Sequence, residues 1–229
     1  MPEQKVGLVT GAAAGIGAGI AERFAEAGYA IAVLDIDGAG AREMASKLPQ
    51  AVAIEGDVSS EDDAIRAVAT TVDELGRLDV LINNAGIELT GTVEQLSSAD
   101  WDRQMAVNLR GLFLMSKYAV PKMRLGGGGA IVNISSVHAL VSWPGGMAYD
   151  ATKAGIIVAT GGIAPTSEGA KIVLKDGEFT VVDGPFAEAK ELVGGWALME
   201  CRDRGEAIEW SKRFLSVLGE GEVRVRPCM

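Results

Sequence analysis

Tyr149 and Lys153 stand four residues apart, so a helix through them brings a phenol and an ammonium to one face. A phenol is a poor base near neutral pH, its ordinary pKa being about 10. A neighbouring ammonium favours the phenolate and is expected to lower that value, as is the positive charge of an oxidised nicotinamide. Such a phenol can take a proton from an alcohol or return it to a ketone. A second constellation lies near the N-terminus, Thr10-Gly11-Ala12-Ala13-Ala14-Gly15-Ile16-Gly17. Gly11 permits a tight bend after a strand, and Gly15 and Gly17 let backbone approach phosphate and let a helix pack close to its sheet. The N–H groups that open this helix, around Ala14 to Gly17, would face a pyrophosphate. Twenty residues after Gly15 comes Asp35 (35 − 15 = 20). A carboxylate there can accept hydrogen bonds from both adenosine ribose hydroxyls and repels a 2′-phosphate, which predicts NAD in preference to NADP. The alternative is that Asp35 caps the next helix, but Asp37 is the better placed cap.

These residues must be carried by elements, and the hydrophobic pattern supplies them. Short apolar runs at Val6–Val9, Ala30–Leu34, Val52–Ile54, Leu78–Ile82 and Ala130–Ile134 alternate with helix-forming stretches. The helices expected between them are Ile16–Ala27, Ala41–Leu48, Glu61–Leu75 (capped by Ser59 or Ser60) and a long one over Trp101–Met123. Strands alternating with helices predict an α/β fold, a doubly wound parallel sheet of Rossmann type covered on both faces. Ligands then sit at the carboxyl ends of the strands.

Composition narrows the function classes. A chain of 229 residues, 48% hydrophobic, can bury a sizeable core. A formal charge of −10 argues against nucleic acid or an anionic membrane as partner. No stretch reaches the ~20 apolar residues of a spanning helix. Cys201 and Cys228 are too few for a disulfide framework, which makes a reducing cytoplasm the expected location. A single histidine, His138, argues against a His-based metal site or a Ser-His-Asp hydrolase, and no metal is expected.

Taken in order, the motifs resemble the short-chain dehydrogenase/reductase family over roughly residues 4–158. Gly56-Asp57-Val58 resembles its adenine-contacting turn, and Asn83-Asn84-Ala85-Gly86 the motif that closes the fourth strand, supports the sheet and lines the cofactor. Asn108 sits where the family has its helix asparagine, and Ser136 lies thirteen residues before Tyr149 (149 − 136 = 13), the family spacing. The resemblance implies Asn108, Ser136, Tyr149 and Lys153 as catalytic residues. Tyr149 would exchange a proton with a secondary alcohol or ketone, and Lys153 would also hold the nicotinamide ribose. Ser136 would bind the substrate oxygen and Asn108 a proton-relaying water. The bland readings are a surface aromatic for Tyr149, a strand-end cap for Ser136 and a backbone-satisfied helix polar for Asn108. The segment from Ser135 to Pro144 resembles glucose 1-dehydrogenases of that family; His138 there is expected as a loop histidine near the subunit surface, with a substrate-facing position as the alternative. The resemblance also implies a homo-oligomer formed through the long helices.

After Gly155 the pattern changes. Lys171–Leu174 and Glu178–Val182 predict a hairpin about Asp176-Gly177, Trp196–Cys201 a strand, Glu206–Leu218 a helix and Glu222–Val225 a last strand. Asp183-Gly184-Pro185-Phe186, with Gly194-Gly195-Trp196 and Arg224-Val225-Arg226-Pro227, resembles the YCII-like proteins. That resemblance implies a partial ferredoxin-like α+β segment over 159–229, without catalysis of its own and with its last strand lacking a neighbour. The chain thus reads as two truncated domains, 1–158 and 159–229. The first sheet would expose an apolar edge at its fifth strand, and Lys171–Leu174 is expected to pair there as a sixth strand. The functional alternatives to an NAD-dependent oxidoreductase are a nucleotide-binding protein without turnover and a YCII-type small-ligand or dimerisation module.

Overall fold

The computed structural model describes residues 4–159, 170–175, 177–183, 203–218 and 221–225. They divide into two compact units, one reaching to Ile156 and one starting at Ile157.

The first unit is built on a five-stranded sheet in the order β3-β2-β1-β4-β5, formed by β1 (Val6–Thr10), β2 (Ala30–Asp35), β3 (Ala51–Glu55), β4 (Val80–Asn83) and β5 (Ala130–Asn133). Every pairing is parallel. The central strands β1 and β4 are buried along their whole length, as near-continuous apolar runs require when both sheet faces are covered. One face packs Leu8, Leu34 and Leu81 beneath α3 (Glu61–Leu75) and α5 (Gly111–Leu125), which contributes Leu114 to the same core. The other packs Val9, Ile31, Val33 and Ile82 beneath α1 (Gly15–Glu26) and α2 (Gly38–Ser46). Local signals set the helix ends. Asp37 accepts from the N–H groups of Ala39 and Gly40 to cap α2, and Ser60 accepts from Asp63 to cap α3. Gly76, at φ 87°, ends α3 in the left-handed region.

The expected long helix over Trp101–Met123 is interrupted. It begins earlier, as α4 (Ser98–Met105), passes through a π-helical stretch at Ala106–Arg110, and resumes as α5. The wider turn carries Asn108, whose buried amide is committed to partners outside the helix (below). The unit closes with α6 (Met147–Ala159), which carries Tyr149 and Lys153 and crosses the boundary between the units.

In the second unit, β6 (Ala170–Lys175), β7 (Glu178–Asp183) and β8 (Gly221–Val225) form an antiparallel sheet in the order β7-β6-β8. Helix α7 (Arg204–Leu218) covers it, with Ile172 and Leu215 at the centre of a small core. The expected pairing of Lys171–Leu174 with β5 is not formed. That strand runs in register with β7 from Ala170–Asp183 to Lys175–Glu178, and with β8 on its other side. A two-residue hairpin turn, with Gly177 at φ 79°, closes with far less chain entropy than a long parallel crossover. The last strand therefore has a neighbour, contrary to expectation, and β5 pairs with β4 alone among the described residues. The strand expected at Trp196–Cys201, and most of the motif from Gly184 to Trp196, lie outside the described residues. No helix among the described residues is long and apolar enough to cross a membrane.

Candidate active site

All five parallel strands end on one side of the sheet, and the candidate residues gather at those ends. Gly11 leaves β1 with φ 63°, and a Cβ there would stand 2.8 Å from the Ala85 Cα. At Gly17 a Cβ would land on the Gly11 carbonyl oxygen, so only glycine lets α1 approach this closely. Gly15, at φ 59°, has open space above it. Ala14 precedes α1 in extended conformation without a side-chain cap, no acidic residue occupies the first turn, and Ile16 is exposed. The helix thus presents its first N–H groups outward, as an anion-binding terminus must.

Asp35 does more than end β2. One carboxylate oxygen accepts the Ala13 N–H at 2.9 Å and the other accepts the Asp37 N–H at 3.0 Å. The side chain therefore latches the glycine turn to the following loop, and each oxygen keeps a further lone pair for a hydroxyl donor. At the end of β3, Asp57 accepts from the Ser59 N–H at 2.8 Å and hydroxyl at 2.7 Å. The Val58 side chain is buried in the core against Gly111, so contact with a ligand at this position falls to its backbone.

Thr10 and Asn84 join β1 to β4. The Thr10 hydroxyl accepts from the N–H groups of Asn84 and Ala85, while the Asn84 amide donates to the carbonyls of Thr10 and Gly11. Gly86 follows, and a Cβ there would stand 3.4 Å from Asn108 Oδ1 and 3.6 Å from Lys153 Nζ. Three residues far apart in sequence meet at that point. Asn108, buried in the π-helical turn, accepts the Ile87 N–H at 2.8 Å and donates to the Ile87 carbonyl at 2.8 Å and the Thr152 hydroxyl at 3.1 Å. The side chain is thus satisfied largely by backbone.

Lys153 is 4% exposed and donates to the Ile134 carbonyl at 2.9 Å, with Nζ 5.5 Å from the centre of the Tyr149 ring. Burial pulls its ammonium down to a pKa of about 8. The Ser135 hydroxyl donates to the Lys153 carbonyl at 2.7 Å, tying α6 to the end of β5. Tyr149 departs from expectation. Burial pushes its phenol above the ordinary value; a hydrogen bond with Ser136 opposes this, and the Glu88 and Asp150 carboxylates reinforce it. Ser136 also accepts from the His138 N–H at 3.2 Å, as a cap on the short 3-10 turn Val137–Ala139. His138 lies in the connection after β5, partly exposed, with its ring 6.0 Å from that of Tyr149 and 5.8 Å from that of Trp143.

The site uses residues the motifs did not single out. Gln104, buried four positions before Asn108 and so on the same helical face, clamps Leu89 through both its amide atoms. That spacing was readable. The contributions of Thr152 and Asp150, and the bonds of the Thr10 hydroxyl within the glycine turn already noted, depend on contacts that no local pattern announces.

Among known proteins, a family model described as short chain dehydrogenase matches residues 5–175. The chain belongs to that family. The match to the short chain dehydrogenases extends past residue 158, where the motifs become unrecognisable, as far as the end of β6. An uncharacterised oxidoreductase of Thermotoga maritima is 43% identical over 70% of this chain and 64% of its own length. The 2-(R)-hydroxypropyl-CoM dehydrogenase of Xanthobacter autotrophicus is 38% identical over 73% of this chain and 70% of its own. The D-threitol dehydrogenase of Mycolicibacterium smegmatis is 42% identical over 67% and 60% respectively. The chain thus spans about two thirds of the length of the curated relatives it matches. A crystal structure of a 3-ketoacyl-(acyl-carrier-protein) reductase from Brucella melitensis, complexed with NADH, superposes with a TM-score of 0.66 at 35% identity, covering 69% of this chain and 68% of that one.

Proposed function

We propose that the protein is an NAD-dependent oxidoreductase that interconverts a small secondary alcohol and its ketone, with Tyr149 as the acid or base. The observation that carries this reading is the convergence of Tyr149, Lys153, Ser136 and Asn108 beside an uncapped glycine-turn helix, at the carboxyl ends of one parallel sheet. The turn suits a dinucleotide: Gly11, Ala14, Gly15, Ile16 and Gly17 would hold the pyrophosphate. Asp57, the Val58 backbone, Asn84, Ala85 and Gly86 would line the rest of the cofactor, with Lys153 and Tyr149 at its nicotinamide end. Asp35 would accept from the adenosine ribose hydroxyls and oppose a 2′-phosphate, which favours NAD over NADP.

Bound there, the nicotinamide would supply the hydride acceptor for an alcohol or the donor for a ketone. Ser136 would fix the substrate oxygen against the Tyr149 phenol. Burial keeps that phenol protonated in the chain alone, the state needed to donate a proton to a forming alkoxide. Lys153 would hold the ribose and a share of positive charge beside the phenol, and Asn108 keeps the Ile87 backbone in place next to both.

The remainder of the reading follows from sequence. The chain is taken as two domains, 1–158 for the dinucleotide and 159–229 as a partial YCII-like α+β segment with no catalytic role; this rests on the Asp183–Phe186 motif. A cytoplasmic homo-oligomer is proposed, favoured by the exposure of Phe113 on α5. The test is titration with NADH and NADPH, reading energy transfer from tryptophan to the reduced nicotinamide, followed by a screen of secondary alcohols. Saturable binding that prefers NADH, and turnover lost in Tyr149→Phe, are expected. Binding without turnover of any alcohol would leave a nucleotide-binding protein, and no binding would refute the reading.

A further inference from the structure

The two outer strands of the second sheet carry different charge patterns. β7 has an acid at each end, Glu178 and Asp183, and contains no base, so no register of self-pairing would join opposite charges. β8 reads Gly221-Glu222-Val223-Arg224-Val225. It pairs with β6 alone among the described residues, which leaves its outer backbone edge without a strand. An antiparallel copy of β8 centred on Val223 sets Glu222 opposite the copy's Arg224, and Arg224 opposite the copy's Glu222. The sequence carries the pattern outward, with Glu220 and Arg226 equidistant from Val223. Centring on Glu222 or on Arg224 instead would set a like charge against itself. Charge therefore selects one register.

The apolar positions agree with that register. Val223 stands opposite Ile172 on β6, and Val223 and Val225 pack against Ile172 and Leu215, the buried centre of this unit's core among the described residues. A core of that size gives little stability by itself. A copy joined at β8 would bring its own Val223 beside this one and prolong the core across the edge.

We propose that β8 is a dimerisation edge, through which two copies of this chain pair antiparallel over Gly221–Val225 and join their small sheets into one continuous sheet about a two-fold axis. The contact is separate from the one proposed on α5, and it requires neither cofactor binding nor turnover. Sedimentation velocity on the full chain carrying Phe113→Glu, which removes the α5 contact, reads the β8 contact alone. It is expected to show a monomer–dimer equilibrium that high salt weakens. In that background Arg224→Glu makes the edge wholly acidic and Glu222→Arg makes it wholly basic. Each should raise the dimer dissociation constant at least about tenfold, because two attractions are lost and two repulsions gained. Mixed in equal amounts, the two charge variants should associate with each other as tightly as the parent does with itself, a rescue that misfolding of either could not give. A parent that stays monomeric at every concentration would overturn the proposal. So would charge variants that dimerise as the parent does, or a mixture that stays apart. Growth beyond a dimer would mean head-to-tail pairing of β8 with β7 and would overturn it equally.

Discussion

At the scale of single residues, burial sets the proton chemistry. The Lys153 ammonium is held at a pKa of about 8, below its ordinary 10.5, so the folded state binds this proton less tightly than the unfolded one. Between those two values the unfolded chain carries more protons, and stability from this group rises with pH across that window. Relative to Lys153→Met, whose unfolding lacks this dependence, the wild type should gain about 3 kcal/mol in urea melts between roughly pH 8 and 10.5. A flat difference would show that the ammonium is solvated. Asp35 carries a double task, and Asp35→Ala should expose both. Loss of an acceptor for two backbone N–H groups should cost about 1–3 kcal/mol of stability, and discrimination between NADH and NADPH in fluorescence titrations should shrink.

At the scale of elements, close approach between α1 and the end of β1 is the controlling feature. Gly17→Ala would press a methyl onto the Gly11 carbonyl and should abolish nucleotide binding with a large fall in melting temperature. Gly19→Ala, two residues along the same helix with open space at its Cβ, should be neutral or stabilising by up to about 1 kcal/mol. If the two variants behave alike, helix propensity rather than packing governs the turn. The π-helical stretch has a similar logic. Motif spacing located Asn108, but a helical pattern predicts regular turns, and the widened one arises where a buried amide must reach Ile87 and Thr152 at once.

At the scale of the molecule, the nucleotide half builds its sheet, both cores and the candidate site within the unit that ends at Ile156. The second unit has its own small core at Ile172 and Leu215. Leu215→Ala should therefore destabilise that unit by about 2–5 kcal/mol, seen as the shift of one transition in a calorimetric scan. NADH affinity should be unchanged. Coupled loss of binding would show that the second unit supports the site.

Much of the doubly wound sheet was legible because its signals are local. Apolar runs of strand length, Asp37 and Ser60 as caps, and a tyrosine and lysine one helical turn apart are all written within a few residues of each other. Tertiary structure decided what depends on approach across the chain. Thr10 meets Asn84 seventy-four residues away, Asp35 turns back onto Ala13, and His138 is drawn from a loop to Asp150. Burial, which no pattern of residue types quantifies, raised the Tyr149 phenol where charge alone predicted a lowered one. The competition for β6 was settled in the same way: hydrophobic pattern marks it as a strand, and a two-residue turn to β7 makes the antiparallel partner cheaper in chain entropy than the distant edge of β5.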